Sequence, residues 1–169
     1  MRSARDFFKP LAVGAPNPVM EIPFRTSRMI HFLDPSNERM VEKAPGIAQK
    51  TDILLGNLED AIQIKNKEAA REGFIKMANS LGDVDCQLWT RVNSLDSPWI
   101  LDDLERIITE VGDKVDVIMI PKVEGPWNIH FVDEYMSLLE ARAGIKKPIL
   151  IHDILDTALR VANVVEIAM

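Results

Sequence analysis

Cysteine occurs only once among the 169 residues, at Cys86. A lone thiol excludes an intrachain disulfide and a thiolate zinc cluster. Nothing beside it marks a nucleophile, so packing into the core is its expected role. Long apolar runs are missing as well, and none approaches the length that spans a bilayer. The N-terminus shows no apolar signal-peptide core, and the cytoplasm is the expected location. No basic stripe offsets the formal net charge of −6. That argues against nucleic acid or an anionic membrane as a partner. There is no G-x-G-x-x-G, no Walker loop and no G-x-S-x-G. His31, His130 and His152 lack metal-ligand spacing and are expected to be packed or hydrogen-bonded.

What remains is an ordinary globule, 47% apolar and 27% charged, long enough for one well-buried domain. Residues 1–25 hold Pro10, Pro16, Pro18 and Pro23 with little apolar periodicity. They read as an extended arm with at most a short helix around Ala4 to Phe8. Phe7, Phe8 and Phe24 would anchor it to the body formed by residues 26–169.

Five apolar runs punctuate that body: RMIHF from Arg28, DILLGNL from Asp52, QLWTRVN from Gln87, DVIMIP from Asp116 and PILIHDIL from Pro148. Helical patterns separate them over Glu38 to Ala48, Lys67 to Leu81, Trp99 to Val111 and Asn128 to Ala143, and a further helix begins at Leu159. A spacing of about thirty residues is that of a βα unit. Runs that are apolar throughout, not alternating, belong to a parallel sheet covered by helices. Two architectures fit. A five-stranded open sheet of flavodoxin type would be complete at this length. A barrel of eight units needs roughly 200 residues, so this chain would hold its first five. The pattern alone favours the open sheet, because an unclosed barrel leaves apolar strand edges exposed.

Charged residues gather where the strands end, the rim at which α/β proteins bind ligands. Arg91 stands there, a permanent cation able to grip a carboxylate or a developing oxyanion with paired hydrogen bonds. It serves equally well as the partner of a neighbouring acid. Glu59 and Asp60 follow the second run, either as functional carboxylates or as acids at a helix N-terminus. Lys122 and Glu124 follow the fourth, where an ion pair is the simple reading. Asp153 and Asp156 close the fifth, three residues apart, so an extended backbone would send them to opposite faces. Carboxylates on such a rim suit a hard cation such as magnesium.

The strings SNERMVEKAP, LEDAI with KEAARE, LWTRVNSLDSPW, DVIMIPKVEGPW and KPILIHDILDTALRVANVVEIA occur in this order. Together with the RSARDFFKPLAVGAP arm, this succession resembles the HpcH/HpaI aldolase, or citrate lyase β-subunit-like, family, and within it the malyl-CoA/β-methylmalyl-CoA lyases. The resemblance covers nearly the whole chain. It implies a TIM-type (β/α)8 barrel, of which these residues supply five units as a truncated or fragmentary product.

The activity implied is magnesium-dependent, reversible cleavage of a 3-hydroxyacyl-CoA thioester into an acyl-CoA and glyoxylate, with manganese as an alternative ion. A thioesterase-like hydrolase and a non-catalytic half-barrel are the other readings. A homo-oligomer is expected. By resemblance Arg91 would stabilise the enolate oxygen or hold the glyoxylate carboxylate, with Glu59 and Asp60 near the metal and its waters. Phe32 and Lys43, with Asn37 nearby, would contact coenzyme A. Asp156 falls on the family's metal-binding glutamate and is one methylene shorter, which implies a bridging water. Asp153 stands where close relatives have a small residue. The family's second metal-ligand aspartate, on the sixth strand, and its C-terminal lid have no counterpart here. Weak or no lyase activity is therefore expected of the isolated 169 residues.

Overall fold

The computed structural model describes residues 10–19, 27–155 and 158–168. Its strands are β1 (Ile30–Leu33), β2 (Ile53–Asn57), β3 (Gln87–Arg91), β4 (Val117–Ile120) and β5 (Leu150–Asp153). Its helices are α1 (Glu38–Ala48), α2 (Lys67–Ser80), α3 (Ile100–Val111), α4 (Pro126–Ala143), α5 (Ala158–Ala162) and α6 (Val164–Ala168). α4 begins two residues earlier than its apolar pattern suggests, because Pro126 fits the first helical turn, where its missing N–H costs nothing. The helix expected from Leu159 is broken at Asn163, whose side-chain amide donates to the Glu124 carbonyl at 3.0 Å.

The sheet runs β1-β2-β3-β4-β5, and every neighbouring pair is parallel. This order overturns the open flavodoxin-type alternative. A doubly wound sheet starts near its middle and reverses direction, which places helices on both faces. Here each crossover steps one strand onward in the same sense, and right-handed crossovers then leave every helix on one side. α1 packs on α2, α2 on α3 and α3 on α4, as staves of a barrel do.

Strand parity then separates two faces. Leu54, Leu88 and Ile118 point to the helices and join Val41, Phe74, Met77, Leu104, Ile108 and Met136 in one buried cluster. Phe32, Leu55, Trp89, Val117 and Leu150 share a row on the other face. The next inner row towards the strand ends is Asn57, Arg91, Met119 and His152. Arg91 thus reaches the mouth from the inner face. His152 lies against Trp89, with ring centroids 5.2 Å apart. Cys86 packs at the edge of the core, as expected.

Residues 10–19 carry no helix or strand. Pro10, Leu11, Pro16 and Pro18 border a cavity of about 430 Å³ against α4 and α6. The expected short helix at Ala4 to Phe8 and the anchors Phe7, Phe8 and Phe24 lie outside the described residues.

Candidate active site

Three successive strand ends build one charged cluster. β2 ends in Asn57, whose side-chain oxygen accepts the Glu59 N–H at 3.0 Å and turns the chain inward. Glu59 is thereby buried, with 3% exposure. Its carboxylate accepts the Asp60 N–H at 2.8 Å and a short contact from the Arg91 guanidinium on β3. Its other oxygen lies 2.8 Å from Lys122 Nζ, just beyond β4. A buried carboxylate is costly unless it is paired and hydrogen-bonded, and this one is held by three donors.

Asp60 is the outward member, its side chain 62% exposed. One of its oxygens lies 3.2 Å from Arg91 Nη2 and the other 3.4 Å from Lys122 Nζ. Hydrogen bonding with Glu59, then the charges of Lys122 and Arg91, holds the Asp60 carboxyl below its ordinary value, against partial desolvation. The hydrogen bond to Glu59 pushes the Lys122 ammonium up. The cluster contains two carboxylates and two cations. Arg91 Nε is buried and has no acceptor among the described residues. The guanidinium therefore keeps its Nε–H unspent.

The structure thus brings Arg91, Glu59 and Asp60 together. Lys122 was not singled out for this cluster by its sequence, because Glu124 two residues on suggests a local pair. Instead, Lys122 adopts a left-handed backbone, φ 56°, and reaches back to Glu59 and Asp60. Such a conformation is uncommon for a residue with a side chain and concentrates at functional sites. Glu124 gives its N–H to the Asn128 side chain at 2.9 Å. Leu95, Asp96, Lys122, Glu124 and Asn128 line a groove of about 320 Å³ on this rim. A roomier cavity, about 630 Å³, lies around Arg28, Asp52 and Cys86 at the strands' N-terminal ends, remote from the cluster.

The residues expected to contact coenzyme A do not join the cluster. Phe32 lies on the inner face of β1 and is half exposed. Asn37 caps α1, accepting the Arg39 N–H at 3.1 Å. Lys43 is exposed along α1. Asp156 lies outside the described residues. Among the described residues no group of three or more His, Cys, Asp or Glu side chains is arranged to hold a metal ion. The oxygen donors at the mouth, exposed Asp60 above all, are nonetheless of the kind that magnesium takes. No described helix is long and apolar enough to cross a membrane.

A sequential parallel sheet with helices on one side and charges at its carboxyl rim defines part of a (β/α) barrel with an enzyme-like mouth. The chain belongs to the HpcH/HpaI aldolase/citrate lyase family, which matches residues 28–169. It is 56% identical over 165 residues to the malyl-CoA/β-methylmalyl-CoA/citramalyl-CoA lyase of Chloroflexus aurantiacus, covering 98% of this chain and 47% of the relative. It is 32% identical over 146 residues to the L-malyl-CoA/β-methylmalyl-CoA lyase of Cereibacter sphaeroides, covering 86% of this chain and 45% of that one. The chain therefore spans about half the length of the curated relatives it matches. Among solved structures, Haloferax volcanii malate synthase shares the fold. Its lead(II) complex gives a TM-score of 0.70 at 19% identity, over 82% of this chain and 45% of that one. Its magnesium/glyoxylate complex gives 0.65 at 18% identity, over 78% and 42%.

Proposed function

We propose that these residues form part of the catalytic rim of a carbon–carbon lyase that cleaves a 3-hydroxyacyl-CoA such as malyl-CoA into an acyl-CoA and glyoxylate. The carrying observation is the Arg91 guanidinium, held at the end of β3 by Glu59 and Asp60 with its Nε unspent. Cleavage removes the hydroxyl proton, turns the carbinol into an aldehyde and sends the bonding pair into a thioester enolate, which a proton then quenches. Negative charge therefore develops on oxygen. A fixed guanidinium in a water-poor setting offsets such charge without reorganising. Glu59, buried and triply held, orients Arg91 and Lys122. Asp60, ionised and exposed, is the carboxylate placed to take and return a proton.

Magnesium, or manganese in its stead, would supply Lewis-acid polarisation of the reacting oxygens when bound. By the family resemblance Asp156, together with Glu59 and Asp60, would hold it. Phe32, Asn37 and Lys43 are the proposed coenzyme A contacts, and self-association into a homo-oligomer is part of the same reading.

Product analysis with malyl-CoA tests the proposal, with magnesium and with a chelator. Weak release of glyoxylate together with an acyl-CoA, lost on chelation, is the expected result for these 169 residues. Free malate plus coenzyme A would overturn it in favour of hydrolysis, and absence of either product would favour a non-catalytic half-barrel.

A further inference from the structure

Two cations on α2 are placed against local preference. Lys67 is the first residue of the helix, where the helix dipole disfavours positive charge. It is also buried, with 6% exposure, and burial pushes its ammonium pKa down. Its Nζ donates to the carbonyls of Leu58 at 2.7 Å and Glu59 at 2.8 Å, and lies 5.7 Å from the Trp99 ring centroid. Arg71, one turn on, is equally buried and donates from Nε to Asp103 at 2.8 Å. The other Asp103 oxygen accepts the Asn93 backbone N–H at 3.1 Å and its side-chain amide at 2.6 Å.

These contacts close a ring. Leu58 N–H donates to the Arg91 carbonyl at 2.8 Å, joining the ends of β2 and β3 directly. Asn93 follows Arg91 by two residues and returns through Asp103 and Arg71 to α2, from which Lys67 reaches back to Leu58. The ring encloses the two strand ends that carry Glu59 and Arg91. An apolar side chain at either α2 position would avoid the desolvation that a buried cation suffers. Local rules are broken in this way where a site must be held in place.

We propose that Lys67 and Arg71 are positioning residues that set how the Glu59 carboxylate meets the Arg91 guanidinium, each acting through the strand end it grips. Neither touches substrate. The inference rests on the rim being catalytic, and it deepens that reading by naming what orients it.

Amide hydrogen exchange at Asp60 and Leu58 reads the geometry directly, since their N–H groups rest on the Glu59 carboxylate and the Arg91 carbonyl. Lys67→Met and Arg71→Met are each expected to speed exchange at both amides by about tenfold or more. They should lower kcat on the order of tenfold to a hundredfold with KM little changed. Lys67→Arg, which can still donate to two carbonyls, should restore most of both. Ile145→Val, a core change away from the ring, should lower stability and leave both amides as they were. If Lys67→Met does not fold, Lys67→Arg and Arg71→Lys carry the comparison, with the larger effect expected for Arg71→Lys, which loses the planar fork. Wild-type exchange at both amides in folded Lys67→Met and Arg71→Met overturns the proposal. Faster exchange in the variants of a protein that turns over no CoA ester would uphold the positioning role and sink the lyase reading. Turnover in the parent with unmoved amides and unmoved kcat would do the reverse.

Discussion

Lys122 Nζ sits 2.8 Å from Glu59 Oε1 although the two residues follow β4 and β2, with β3 lying between those strands. Arg91 fills that intervening position and grips the same carboxylate. Glu59 therefore depends on two cations of unequal burial. The Arg91 side chain is 14% exposed and that of Lys122 is 43% exposed. Removing the inner cation strands a buried charge, so Arg91→Met should cost about 3 kcal/mol. Lys122→Met removes a solvent-screened partner and should cost about 1 kcal/mol or less. Urea midpoints of the two variants check this order, and equal losses would contradict it.

Gly73 on α2 meets the turn that follows β1. A Cβ there would lie 1.8 Å from the Pro35 carbonyl oxygen, a backbone atom that cannot swing aside. Gly73→Ala should therefore destabilise by about 3 kcal/mol or more, as overpacking does when nothing can yield. The same substitution at Gly46, where a Cβ meets nothing within 4 Å, should be nearly neutral or stabilising.

Glu140 is buried on α4 and accepts the Ile149 N–H at 2.8 Å. Burial raises its carboxyl pKa above the ordinary 4.5. The folded state then holds a proton that the unfolded state has already released, so stability should fall as pH climbs above that ordinary value. Glu140→Gln keeps an acceptor for Ile149 and removes the charge. The variant should be more stable than the parent at about pH 8 and close to it at about pH 4, measured by thermal melts.

Asp52 has the opposite sign. Hydrogen bonds from the Arg28 side chain and backbone, with the Met29 N–H, lower its carboxyl to about 2. Its contribution is whole above the ordinary 3.8 and drains away as pH falls through about 2. Asp52→Asn should flatten that acid limb of the stability curve while leaving the Glu140 slope in place.

The strands were legible because the segments of a parallel barrel-type sheet are apolar on both faces, and Leu54, Leu88 and Ile118 stand inside such runs. Sheet order was not legible from the pattern, because the βα repeat reads the same whether crossovers reverse or continue, and the cost of exposed edges favoured an open sheet. The incomplete barrel was implied by the family resemblance, and the sequential strand order agrees with it. Arg91, Glu59 and Asp60 were legible as polar punctuation after apolar strands. The roles of Lys122, Lys67 and Arg71 were hidden for one shared reason. Their partners are fixed by backbone geometry and tertiary distance, whereas sequence offers nearer candidates, Glu124 for Lys122 and the carboxylates along α2 for the other two.

The four charges at the mouth cancel within a few ångströms, well inside the distance over which salt screens them. That quartet therefore casts little field of its own at long range. The acids beside it, Asp96 and Glu124 in the rim groove, and the chain's net charge of −6 set the sign of the field a ligand meets on approach. For the anionic thioester proposed above that field is repulsive, so capture should quicken as salt rises.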